Sequence, residues 1–338
     1  HSVYEKSNKI HGFPLFSVLA PFSLTNKAPL PYNGETLRKQ VWRIIMRPYQ
    51  IISDSSCDIP ADLLPKLNIG IVPYYATFDT INYHKELLDL TPEEFYDKVK
   101  EAKVFPKTSL PPIQDYIDVF EPYLKEGKDI VCMCLTAKFS GSFQSANNAK
   151  QILLETYPDS RIEVVDTISV TGTQGMLVYE ACRMRDAGYD LDKLLETLEI
   201  QKQTTKINFT VDSLDFLQHG GRVGKAAAFA GAILNIKPII VMKEGELFPE
   251  SKVRGHKKAL KTIFDMTVKE IGDQKDKYTL CVIRAEKERQ AVAEDLIAQL
   301  KAEGFQVMDT PWPVGITIGT HCGPTAVGIC YIKQYEKL

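Results

Sequence analysis

An α/β protein of two domains is what this sequence predicts, the first domain with a mainly parallel, doubly wound sheet and the second α+β with a mixed sheet. Three observations carry that expectation. From residue 46 onward, apolar runs of strand length alternate with segments of helical spacing, the pattern of a parallel sheet covered on both faces. After residue 167 the alternation gives way, and 236–242 followed by 244–247 reads as a hairpin, which requires antiparallel pairing. Between them, the apolar run 129–134 enters a turn of hydroxyls and one glycine, Phe139-Ser140-Gly141-Ser142-Phe143, and then a helix. Such a turn lies at the carboxyl end of its strand, where open α/β sheets bind ligands. Backbone N–H groups at the helix start favour an anion there.

Bulk properties bound the possibilities. The chain has 338 residues, enough for two cores, and a formal net charge of −2, which offers no argument for nucleic acid. No run approaches the ~20 apolar residues of a membrane helix, so stable insertion is not expected, although transient membrane contact is compatible with the sequence. The seven cysteines show no CxxC spacing and sit mostly in strand-like surroundings, which reads as buried thiols in a reducing cytoplasm without metal or redox roles.

Taken in order, residues 1–45 lack periodicity and are studded with prolines; they are expected to be an appended or upstream-translated extension, or else an accessory arm, with the working chain starting at Met46. The run 49–54 is a first buried strand, and Asp58 or Ser56 is placed to cap the helix after it. A second strand is expected over 69–78, and Thr91-Pro92-Glu93-Glu94 opens a helix with proline at its first position. Residues 107–112 read as a loop before a helix over 113–125; the strand at 129–134, a helix from Ala146 and a strand at 161–166 follow. These elements make up a first domain over 46–167. The second, over 168–338, has an amphipathic helix at 175–187, another at 192–204 and a strand at 206–211. After the hairpin come a helix at 257–271, a strand at 278–284, a helix at 288–302 and short strands at 305–309 and 327–332.

Several motifs invite chemistry. Gly220 to Lys225 superficially suggests a phosphate loop, but Ala226 stands where a Walker A motif needs Ser or Thr, so it reads as a tight turn with solvated cations. His321 lies in a loop between glycines and reads more readily as a hydrogen-bonded residue than a catalyst. Arg254 stands at a strand-to-helix junction, where simple solvation explains it. Ser140 with His321 suggests a serine acyl hydrolase, yet the GxSxG elbow is missing, since position 138 is Lys and 142 is Ser.

A series of motifs then falls into register: Ile51-Ile52-Ser53-Asp54-Ser55-Ser56-Cys57-Asp58, Lys107-Thr108-Ser109-Leu110-Pro111, the Ser140-Gly141 turn, Gly220-Gly221-Arg222-Val223-Gly224, Leu234-Asn235-Ile236-Lys237-Pro238, Lys252-Val253-Arg254-Gly255 and Ile318-Gly319-Thr320-His321-Cys322-Gly323-Pro324. Together they resemble the DegV family of bacterial fatty-acid-binding proteins from Met46 to Leu338. The resemblance implies one long-chain fatty acid in a tunnel between the domains, and a non-catalytic carrier subunit that presents the carboxylate to a separate ATP-binding kinase subunit. The acyl phosphate so formed would serve phospholipid synthesis, in the cytoplasm, with no cofactor and no metal on this chain. It also implies that Thr108, Ser109, Ser140 and Gly141 hold the carboxylate, with Arg254 and His321 near the head group or facing the kinase. Departures from the family pattern are Thr136-Ala137-Lys138 before the turn, Leu110 in the Thr-Ser loop and Thr325 after Gly323-Pro324. The hydroxyl groups survive them. A lipid-sensing regulatory protein is the further alternative to the hydrolase.

Overall fold

β1 (Tyr49–Asp54) is buried at every residue, as a strand covered on both faces must be. The computed structural model describes residues 47–102, 104–229 and 235–338; the extension over 1–45, the expected start at Met46 and Leu234 of the motif series lie outside the described residues. After β1 come α1 (Leu64–Leu67), β2 (Gly70–Val72), β3 (Tyr75–Thr77), β4 (Tyr83–Lys85), α2 (Pro92–Ala102), β5 (Lys107–Ser109), α3 (Ile113–Lys125), β6 (Asp129–Cys134), α4 (Ser142–Thr156) and β7 (Ile162–Asp166). β2, β1, β6 and β7, in that order, form a wholly parallel sheet. The period of two sorts its side chains. Ile52, Ile130 and Cys132 meet Tyr116 and Phe120 of α3 and Ala146 and Ala149 of α4 on one face. Ile51, Val131 and Met133 join the central core on the other.

Four local expectations are corrected here. The strand expected over 69–78 is two strands in two sheets, because Pro73 between them has no N–H for a ladder. The loop expected at 107–112 begins as β5, whose backbone pairs with β3 (Ala76 opposite Thr108) in a small antiparallel sheet, β4-β3-β5. Neither Ser56 nor Asp58 caps a helix: Ser55–Cys57 is a single 3₁₀ turn, Ser56 Oγ donates to Asp54 Oδ1 at 2.5 Å, and Asp58 takes a left-handed φ of 51°. The helix expected from Ala146 starts four residues earlier, at Ser142.

The second lobe continues with α5 (Thr171–Asp186), α6 (Leu191–Gln201), β8 (Lys206–Thr210), α7 (Asp215–His219), β9 (Ile236–Lys243), β10 (Glu246–Arg254), α8 (His256–Ile271), β11 (Tyr278–Arg284), α9 (Gln290–Ala302), β12 (Gln306–Val307), β13 (Trp312–Pro313), α10 (Ile316–Cys322) and β14 (Val327–Lys333). Its sheet runs β10-β9-β8-β14-β11-β12, with β13 also beside β11. The pairings are antiparallel except those of β12 and β13 with β11, so the sheet is mixed, as the hairpin implied. α8 and α9 cover one face through Ala259, Ile263, Ala293 and Leu296.

The opposite face, with Ile207, Phe209, Ile283 and Cys330, shares one core with the first sheet. α5 lies in that core and touches both sheets. In place of the expected amphipathic helix, it is buried on nearly every side, including Gln174 and Glu180. Its glycines permit this position. A Cβ on Gly172 would lie 2.7 Å from Ile283 Cγ2, and one on Gly175 would lie 2.3 Å from the carbonyl oxygen of Cys57. All seven cysteines are buried free thiols. Among the described residues no helix is long and apolar enough to cross a membrane.

Candidate functional site

The turn after β6 is fixed from behind. Asp54 is wholly buried at the end of β1, where its carboxylate accepts from Leu135 N at 2.9 Å and from Gln174 Nε2 of α5 at 2.8 Å. The chain then bends through Phe139, whose N–H donates to Thr136 O at 3.0 Å, and reaches Ser140 and Gly141 at the start of α4. Ser140 Oγ accepts from Ser142 N at 3.1 Å and from the Tyr74 hydroxyl at 2.7 Å. Burial holds the Tyr74 phenol well above its ordinary pKa, so it stays protonated and is a permanent donor. Tyr74 sits between the parallel sheet and β3, a placement that nothing in the sequence marked.

A cavity of about 270 Å³ opens between the two sheets at this turn. Its walls are apolar: Leu135, Val170, Ile207, Phe209, Leu217, Leu247, Ile283, Val314 and Ile318 line it. Its polar lining includes Tyr74, Thr108, Ser109, Ser140, Arg222 and His321, and Gly141 adds backbone. β5 brings Thr108, α10 brings His321, and Thr108 Oγ1 and His321 Nε2 share a hydrogen bond of 2.9 Å across 213 positions of sequence. Burial, and secondarily the Arg222 guanidinium, press the His321 pKa down to about 4, so the ring is neutral at pH 7.

Of the residues expected at the site, Thr108, Ser109, Ser140, Gly141 and His321 therefore line one cavity, and Arg254 does not. Arg254 is exposed at the end of β10, opposite Ile236. The arginine at the cavity is Arg222, which corrects its reading as a solvated cation of a tight turn. Its Nε donates to Phe139 O at 3.1 Å and its Nη1 to Gly220 O at 2.8 Å, which clamps it beside the Ser140 turn. Lys225 of the same motif does reach solvent, 3.4 Å from Glu246. A usable signal was present in Gly220-Gly221. A Cβ on Gly220 would lie 2.1 Å from His321 Nδ1, and Gly221 has a φ of +67°. Paired glycines before an arginine marked close backbone approach, not a phosphate loop.

Ser140 and His321 are not joined as nucleophile and base. The hydrogen bonds of Ser140 Oγ go to Tyr74 and Ser142, and that of the imidazole goes to Thr108. Among the described residues no three His, Cys, Asp or Glu side chains are grouped to hold a metal ion. The arrangement can do something simpler. It offers hydroxyl donors and one guanidinium to an anionic oxygen at the mouth of an apolar hollow.

Gly220→Ala tests how tightly His321 is seated. The added methyl should turn the imidazole out of the cavity, at a cost of about 1–3 kcal/mol, or a few degrees of melting temperature. Once solvated, its pKa should climb from about 4 toward the ordinary 6.5, as read by histidine side-chain NMR; an unchanged titration would mean the ring has room to spare.

Comparison with known proteins gives a consistent picture. The family model described as an uncharacterised protein of the DegV family matches residues 48–334. A DegV domain-containing protein of Clostridium perfringens is 32% identical over 295 residues, 86% of this chain and 100% of its own length. A stearic acid-binding protein from Eubacterium ventriosum has a similar structure, with a TM-score of 0.81 and 34% identity over 86% of this chain and 100% of that one. So has a fatty-acid-binding DegV family protein from Thermus thermophilus, with a TM-score of 0.77 and 30% identity over 85% and 99%.

Proposed function

Because the chain belongs to the DegV family, we propose that it holds one long-chain fatty acid in the cavity between its sheets and presents the carboxylate to a separate ATP-dependent kinase subunit. The observation that carries this reading is the division of the cavity, apolar walls with hydroxyls and Arg222 gathered around the Ser140 turn. Burying an acyl chain contributes about 0.8 kcal/mol per methylene, so about fourteen methylenes give roughly 11 kcal/mol before entropic costs. Each neutral hydroxyl bond adds only about 1 kcal/mol. Affinity then comes from the walls, and Thr108, Ser109, Ser140 and the Gly141 backbone decide which end of the ligand faces out.

In this reading the carrier does no chemistry. Phosphoryl transfer needs an exposed nucleophilic oxygen, placed and electrostatically supported. A carboxylate at Ser140, near Arg222 and a neutral His321, is such an oxygen, and the kinase subunit brings the nucleotide. Arg254, exposed at the end of β10, belongs to the kinase-facing surface. The acyl phosphate feeds phospholipid synthesis in the cytoplasm, and the carrier needs no metal or cofactor of its own.

Denaturing the purified protein and extracting it for mass spectrometry should release close to one fatty acid per chain. A delipidated sample that neither carries nor takes up fatty acid defeats the reading. Ser140→Ala should weaken binding about fivefold, in line with one lost hydrogen bond. It should lower acyl-phosphate formation further, because a disoriented carboxylate is a poor nucleophile. No acyl phosphate from the loaded native protein with ATP and a kinase subunit would leave a lipid binder without the kinase role.

A further inference from the structure

β8 leads from the mouth of the acyl cavity to its deep end. Its carboxyl end points at the mouth: beyond Thr210 the chain passes through α7 to Arg222, clamped beside the Ser140 turn. Ile207 lies toward the other end of the strand, with Phe209 on the way to it. At about 3.3 Å per residue, β8 carries the wall roughly 10 Å inward from Thr210 to Ile207. Ile207 and Phe209, two residues apart, both line the cavity, whereas Asn208 between them donates to Thr267 of α8 on the opposite face of the sheet.

The cavity does not end there against solid core. A second hollow, of about 280 Å³, abuts it, and among the described residues Ile207 alone lines both. The side chain is 3% exposed and stands as a partition. The loop after β7 straddles the same wall with consecutive residues, Val170 lining the acyl cavity and Ser169 the second hollow. It is anchored by Thr136 N, which donates to Ser169 O at 3.0 Å.

Polar groups around the second hollow are engaged elsewhere. Lys202 Nζ lies 2.8 Å from Glu199 Oε1, and Lys243 Nζ lies 3.6 Å from Glu250 and over the Phe248 ring. The Ser169 and Thr205 hydroxyls share a bond of 2.9 Å. With their ammonium groups on these partners, Lys202 and Lys243 offer the hollow their methylene stems, beside Ile168 and Met242. A hydrocarbon terminus entering there takes no charged group from its partner.

We infer that Ile207 is the stop that sets the longest acyl chain this protein accepts, an inference that rests on the fatty-acid reading above. Each added methylene strengthens binding while it finds wall to bury against. Once the terminal methyl reaches Ile207 the gain ends, because a packed interior yields little to a further carbon. Alanine at this position removes Cγ1, Cγ2 and Cδ1 and opens the cavity into the second hollow.

Delipidated native, Ile207→Ala and Ile207→Phe proteins, titrated with saturated fatty acids of rising length in competition with a fluorescent fatty acid, test this. On the native protein affinity should rise about fourfold per methylene up to a limiting length and then level or fall. Ile207→Ala should extend that limit by about three carbons, the volume the side chain gives up, and Ile207→Phe should shorten it. Chains well below the limit should bind all three proteins within about twofold, which shows that the variants are folded and the head-group site intact. Should Ile207→Ala fail to fold, Ile207→Val gives the same shift in smaller measure. An unchanged limit in a folded alanine or valine variant overturns the assignment of Ile207 and leaves the fatty-acid reading standing. No uptake of any fatty acid by the native protein overturns both.

Discussion

Gly175→Ala is expected to cost about 3 kcal/mol and to lower the melting temperature by roughly 8 °C. The new Cβ would stand 2.3 Å from the carbonyl oxygen of Cys57, 2.7 Å from Trp312 Cζ3 and 3.1 Å from Ile59 Cγ1. Neither chief obstacle yields easily. One is backbone in a buried 3₁₀ turn, and the other is the largest fully buried side chain. Alanine would ordinarily favour a helix by up to about 1 kcal/mol over glycine, so a measured loss isolates the collision from propensity. Thermal and urea unfolding of the two proteins give the comparison. Equal stability would mean that α5 can slide between the sheets without loss. The consequence reaches the site, because the Ser55–Cys57 turn is tied to β1, to the loop before β3 and, through Glu86, to α10.

The same helix shows where local pattern stops being informative. The parallel strands 49–54 and 129–134 were legible because burial on both faces leaves short runs rich in apolar residues, and 162–166 because Ile162, Val164 and Val165 follow at strand length. α5 carries Thr171, Gly172, Thr173 and Gly175 in its first turns, poor helix formers that an amphipathic reading skips, with the polar Gln174 among them. They are there for tertiary reasons. The glycines clear Cys57 and Ile283, and Gln174 donates to Ser53 and Asp54. β5 was illegible for a different reason: Lys107–Ser109 has no apolar alternation, and only its partner β3, about thirty residues upstream, makes it a strand.

The site was partly legible in the same sense. Ser140-Gly141 announced itself because hydroxyls after a buried strand have one usual place in an α/β sheet. Arg222 did not, because an arginine after two glycines looks solvated until the fold lays it against Phe139 O. Arg254 stands at the strand-to-helix junction that the sequence indicated, exposed at the end of β10. Tyr74 carried no signal at all, being one aromatic among the residues of an apolar stretch.

The second large effect is a pH dependence centred on Asp58 and Glu86. Both carboxyl groups are buried, and both face the space beside Gly315, where a Cβ would lie 2.5 Å from Asp58 Oδ1 and 2.4 Å from Glu86 Oε1. No lysine, arginine or histidine pairs with either among the described residues, and the other titratable neighbours, Asp54, Tyr96 and Cys322, bring no positive charge. Glu86 is the better placed to ionise, since it accepts from Ser55 Oγ and Thr317 Oγ1 at 2.6 Å each and from Thr317 N at 3.1 Å. Neither oxygen of Asp58 has a hydrogen-bond partner. Burial first, then the Glu86 charge, raise the Asp58 pKa well above the ordinary carboxylate range. The folded protein therefore keeps a proton on Asp58 that the unfolded chain releases near pH ~4. Bound protons then exceed those of the unfolded state, and stability falls as pH rises, by up to about 1.4 kcal/mol per unit, until the folded pKa is passed. An asparagine side chain in place of Asp58 is neutral throughout and adds no charge beside Glu86. Asp58→Asn should accordingly match the native protein near pH 4 to 5 and exceed it by about 2 kcal/mol or more at pH 7. The opposite trend from His321, which loses stability as pH falls from 6.5 toward 4, is common to both proteins and cancels in the difference. Urea midpoints of the pair across pH 4 to 9 give the result, and parallel curves would mean that the folded protein holds no extra proton on Asp58.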